Sequence, residues 1–134
     1  MRALLFALAL AAIAAPGAAT SFGPLAKTGV TDGPRKGFYL QLRNAYRTAQ
    51  TFELHGYEAD GVTPAARLAI LPATTRLGGG RQRRVLVIVD GLAPGETRRV
   101  RVCAARAPQP EESLYARICS TLVARRLPRR ARGG

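Results

Sequence analysis

Apolar and polar residues alternate over short stretches for most of the chain. Phe38, Leu40 and Leu42 alternate with Tyr39, Gln41 and Arg43, the period of two of a half-buried strand. Phe52 and Leu54 alternate with Thr51, Glu53 and His55 in a second strand. Leu68, Ile70 and Leu71 open a third, which Pro72 breaks. Proline lacks a backbone donor, so this segment suits a sheet edge or a strand that changes sheets. Residues 85–89, VLVIV, are the most apolar stretch past the N-terminal region. Val100 and Val102 alternate with Arg99, Arg101 and Cys103, and Tyr115 to Val123 form the last strand. Turn residues separate these runs. Asp60-Gly61 marks one turn, and Ala93-Pro94-Gly95-Glu96 has Pro and Gly where a type II turn requires them. Gly78, Gly79 and Gly80 read as a hairpin turn, residues 44–48 as a polar connection and residues 107–112, APQPEE, as a loop.

The count is six or seven short strands, with no amphipathic helix after residue 19. An all-β fold follows: a single immunoglobulin-like antiparallel β-sandwich of about seven strands over residues 37–127. Residues 20–36 read as an extended arm and residues 128–134 as a basic flexible tail.

The N-terminus breaks the pattern. Arg2 precedes residues 3–15, ALLFALALAAIAA, and small residues follow Pro16. This is the organisation of a secretory signal peptide over residues 1–19, with cleavage after Ala19 or, alternatively, after Ala14. The run falls short of the roughly 20 residues that span a bilayer, and nothing later is apolar enough to do so. A periplasmic or secreted protein is expected.

Export decides how the two cysteines are read. In an oxidising compartment Cys103 and Cys119 form one disulfide. If the flanking strands form a hairpin with Cys103 opposite Cys119, Val102 meets Ser120, Val100 meets Leu122 and Ala104 meets Ile118 on the core face. Arg101 then meets Thr121, and Arg99 meets Val123, on the other face. The one His and two Cys cannot complete a structural zinc site, and no cofactor is called for.

Charge adds a further question. The chain of 134 residues has 21 basic and 8 acidic residues, a net +13, and 19 of the basic residues are Arg. Arg81, Arg83 and Arg84 precede one strand, and Arg98, Arg99 and Arg101 begin another. If those strands share a sheet, the guanidinium groups gather at one end. With Lys27, these are the candidates for binding anions. Nucleic acid is not expected, because an exported chain meets little of it and no aromatics interleave with these Arg. Lipopolysaccharide, lipid phosphates, cell-wall carboxylates or an acidic partner fit the compartment. A solvated face on an Arg-rich protein remains the plain alternative.

Enzyme chemistry has little to stand on. His55, the sole imidazole, lies on a strand face as a surface group, and no GxSxG places a nucleophile near it among Ser21, Ser113 or Ser120. Glu111 and Glu112 are adjacent in a Pro-rich loop instead of facing across a cleft. No GK[ST] follows the glycine triplet.

One resemblance runs through residues 36–130. LAILPATTRLGGGRQRRVLVIV, GLAPGETRRVRVCA, the early FYLQLRN and the final ARICSTLVARRLPRR resemble segments of the immunoglobulin-like N-terminal domain of periplasmic pilus-assembly chaperones. The resemblance implies a binding module that lends an edge strand to an exported, pilin-like subunit. It implies that the last strand is the partner edge, with Arg117, Ile118, Ser120 and Leu122. Ile118 and Leu122 fit the large apolar residues such an edge shows, and Ser120 departs from them. It also implies a basic anchor for the subunit's terminal carboxylate, for which Lys27 and Arg117 are the nearest residues. Some chaperones of this family carry a disulfide at the corresponding hairpin. The family's second domain would begin where this chain ends.

Overall fold

A computed structural model describes residues 20–110 and 116–130. The expected signal peptide, Glu111 to Tyr115 and the last four residues lie outside the described residues.

Among the described residues nine strands form two packed sheets: β1 (Ser21–Gly23), β2 (Ala26–Thr31), β3 (Lys36–Arg43), β4 (Gln50–Glu58), β5 (Leu68–Leu71), β6 (Thr74–Leu77), β7 (Gln82–Val89), β8 (Thr97–Arg106) and β9 (Arg117–Arg126). One sheet has the order β1-β3-β7-β5, the other β2-β9-β8-β4-β6. All pairings are antiparallel except β2 with β9. The alternation predicts the inner faces. Phe38, Leu40 and Leu42 of β3 and Val85, Val87 and Val89 of β7 are buried in one sheet. They pack with Phe52 and Leu54 of β4, Val100 and Val102 of β8, and Leu122 and Ala124 of β9.

The extra strands come from two segments that change sheets at a proline. The chain runs from β5 in one sheet through Leu71-Pro72 to β6 in the other, as the proline suggests. The expected arm does the same. Ser21–Gly23 pairs with β3, and after Gly23-Pro24 the chain pairs with β9. Residues 20–36 are thus part of the sandwich. Their alternation is weak because β2 lies at a sheet edge and is mostly exposed.

The glycine triplet does not form a hairpin. β6 and β7 belong to different sheets, so residues 78–81 cross between them. Asn44, fully buried, ties this crossing to the β3–β4 connection. Its Nδ2 donates to the carbonyls of Thr48 (3.0 Å), Leu77 (2.9 Å) and Gly78 (3.2 Å), and its Oδ1 accepts from the Tyr46 N–H (2.9 Å). Gly79 is required here, since a Cβ would stand 2.1 Å from the Arg47 carbonyl oxygen. The turn at residues 93–96 is as expected: Gly95 has φ 78° and Glu96 N–H donates to Ala93 O at 2.9 Å.

Candidate functional site

β8 and β9 pair in the register that the cysteines predict. Cys103 stands opposite Cys119, Val102 opposite Ser120, Val100 opposite Leu122, and Arg101 opposite Thr121. The disulfide joins Cα atoms 4.0 Å apart. That close spacing belongs to a non-hydrogen-bonded pair, whose backbone groups point away from each other. The N–H and C=O of Cys119, and of Arg117 two residues earlier, therefore face the outer side of β9. The same parity holds further along, where Thr121 N–H donates outward to Leu25 O at 2.8 Å.

β2 occupies that outer side only from Thr121 onward, where Ala26 begins the pairing. The edge expected over Arg117, Ile118, Ser120 and Leu122 is therefore corrected. Ser120 and Leu122 are fully buried. Leu122 faces Lys27 of β2 across the ladder, and the Ser120 hydroxyl donates to Pro24 O. Ile118 packs against the core, half-buried. Among the described residues, the edge is uncovered at Arg117–Cys119 alone. Geometry explains the limit: the first strand has crossed to the other sheet below Ala26, so it cannot cover the start of β9.

Lys27 and Arg117 do not converge. Lys27 Nζ donates to Tyr39 O at 3.3 Å, toward the other sheet. Arg117 Nη2 donates to Gly61 O at 2.9 Å, and its guanidinium lies 5.0 Å from the Tyr57 ring centre. The two side chains leave the β9 edge in different directions and do not form one carboxylate anchor.

The two Arg groups do not share a sheet either. Arg81, Arg83 and Arg84 stand at the start of β7, and Arg98, Arg99 and Arg101 at the start of β8, in opposite sheets and at opposite ends of the sandwich. Arg98 is 8% exposed and structural: it donates to Glu58 Oε1 at 2.8 Å, to Arg67 O at 3.2 Å and to Ala66 O. The Arg101 guanidinium lies against Gly61, and Arg99 is exposed. Arg83 donates to the Thr75 hydroxyl at 3.3 Å, across the gap between sheets. Arg84 stacks 5.1 Å from the Tyr39 ring centre, and Arg81 is exposed in the crossing loop.

Carboxylates gather at the end where β8 begins. The Thr63 hydroxyl, with the N–H groups of Val62 and Thr63, holds Asp60 below its ordinary pKa. The Gly91 N–H, aided by Arg35, does so for Asp90. For Glu96 the donors are the Ala93 N–H and Arg67. These groups order loops, and none faces a cleft with a nucleophile. His55 lies on the outer face of β4 with its Nε2 3.7 Å from Glu53.

No family model matches the sequence, and no curated protein matches it. The fold has solved counterparts. The complex of the SafA pilin with the SafB chaperone of Salmonella enterica contains a match with TM-score 0.67 at 18% identity, covering 81% of this chain and 54% of that one. The E. coli chaperone DraB matches with TM-score 0.65 at 19% identity over 81% of this chain and 55% of its own. The PapD-like domain of human CEP192 matches with TM-score 0.66 at 13% identity, covering 97% of this chain and all of that domain. The chain spans about half the length of the bacterial chaperones. What it shares with them is an immunoglobulin-like, PapD-like β-sandwich, the fold implied by the sequence resemblance.

Proposed function

We propose that the chain is an exported, chaperone-like binding module that engages another envelope or pilus protein by β-strand addition at the start of β9. The observation that carries this reading is the uncovered edge at Arg117–Cys119, where outward N–H and C=O groups stand in register on a strand locked by the disulfide. Edge-strand pairing uses main-chain hydrogen bonds for affinity, so the site needs no catalytic side chain. Several solved counterparts are chaperones held with a pilin or a tip adhesin subunit. That precedent supports an exported, pilin-like partner. Residues 1–19 fit the reading as the signal that places the protein in the periplasm or outside the cell.

A proline at residue 117 separates main-chain pairing from side-chain contact. Its missing N–H is the outward one, so the β8–β9 ladder keeps its bonds. With a photo-crosslinker next to the edge, the protein recovered from the cell envelope is expected to begin at Thr20 and to capture one exported protein. Arg117→Pro should reduce capture at least tenfold, and Arg117→Ala should leave it within about twofold. Equal capture by both variants would refute strand addition.

A further inference from the structure

The end of the sandwich opposite the carboxylates is formed by the β3–β4 connection and the β6–β7 crossing. Asn44 stitches the two together, through its own side chain and through main-chain bonds from Asn44 N–H to Arg81 O (2.8 Å) and from Gly80 N–H to Asn44 O (2.8 Å). Around this fixed cap stand Arg43, Arg47, Arg76, Arg81, Arg83 and Arg84, all exposed. None of the six pairs with a carboxylate among the described residues. The pairs Arg35–Asp90, Arg67–Glu96 and Arg98–Glu58 all lie at the opposite end. Of the described carboxylates only Glu53 lies toward the basic end, facing His55. Arg at one end thus meets carboxylates, and these six Arg at the other meet none among the described residues.

The N-terminus adds a second, independent fact. β1 starts at this same end, with Ser21 opposite Arg43. The apolar run 3–15 precedes Ser21 by only residues 16–20. Five extended residues reach at most about 18 Å. Before cleavage, while that run occupies the membrane, the start of β1 and with it the Arg end lie within that reach of the lipid surface. Arg binds phosphate oxygens bidentately, and basic clusters are drawn to anionic leaflets within a Debye length.

We propose that this Arg-rich end is a docking surface for the phosphate headgroups of an anionic lipid bilayer. It lies apart from the β9 ladder used for strand addition and does not depend on that reading. The guanidinium groups ring this end of the sandwich, with Arg43 and Arg84 on one sheet, Arg76 on the other and Arg47 and Arg81 in the two connections.

Flotation tests it. The exported protein is mixed with phosphatidylcholine vesicles, with and without phosphatidylglycerol. Binding is expected only with the anionic lipid, and added salt should release it. A variant with Arg43→Gln, Arg47→Gln, Arg81→Gln and Arg84→Gln should bind at least tenfold more weakly. A variant with the same loss of charge, at Arg99, Arg125, Arg129 and Arg130, should stay within about threefold of the parent. Thermal melting of both verifies that they fold. Equal weakening by the two variants would reduce the effect to net charge and overturn the assignment, as would binding to neutral vesicles. Binding to poly-glutamate but not to anionic vesicles, lost with the first variant, would assign the end to an acidic protein and also overturn it.

Discussion

Arg98 and Arg99 are adjacent in sequence but differ in environment. Arg99 points to solvent from β8, whereas Arg98 fills the gap beneath the β4–β5 connection and satisfies two carbonyls and the Glu58 carboxylate. Truncating a buried donor leaves its acceptors without partners, which costs far more than losing a solvated charge. Arg98→Ala should lower stability by about 2–3 kcal/mol, and Arg99→Ala should change it by less than about 0.5 kcal/mol. Urea unfolding of the two variants measures both. Similar midpoints would mean that the Arg98 network contributes nothing. Asn44 teaches the same lesson. It follows an alternating strand and reads as the start of a polar connection, yet its partners lie more than thirty residues away at Leu77 and Gly78. Local pattern carries no sign of a hydrogen-bond hub built from a distant loop.

Among the elements, the β8–β9 hairpin was the most legible. Two cysteines flank a turn-forming loop, and one register places Val100, Val102, Leu122 and Ala124 in the core and Arg99 and Arg101 on the other face. A one-residue slip would turn the apolar set to the wrong face, and the paired cysteines exclude a slip of two. The disulfide closes a loop with sequence separation 16. Removing it by paired Cys103→Ser and Cys119→Ser substitutions should cost roughly 3 kcal/mol in the chain-entropy view. The unfolded exported protein should titrate no free thiol, and two free thiols would refute the bond. The segments that change sheets were legible only in part. Pro72 announces a break, and the chain does cross there. Residues 26–31 lack alternation because an exposed edge strand needs no apolar face. The glycine triplet marks a close approach, but whether such a loop returns within a sheet or crosses to another depends on partners far away in sequence.

At the scale of the molecule, the sandwich has a closed side, an open side and two unlike ends. β2 closes β9 from Thr121 onward and leaves Arg117–Cys119 open. Carboxylates crowd one end, and six Arg with no carboxylate partner among the described residues crowd the other. Composition shows the excess of Arg but not its distribution, which depends on which connections share an end. Likewise, the edge residues read from the resemblance included Leu122, which β2 covers after the chain has changed sheets. The central claim is that a partner's strand extends the sheet along the start of β9. Residue-resolved amide hydrogen exchange, with and without the crosslink-identified partner, tests it most directly. On binding, the amides of Arg117 and Cys119 should slow at least tenfold, while Thr121, already bonded to Leu25 O, should change little. Unchanged exchange at Arg117 and Cys119 in the bound state would contradict strand addition at this edge.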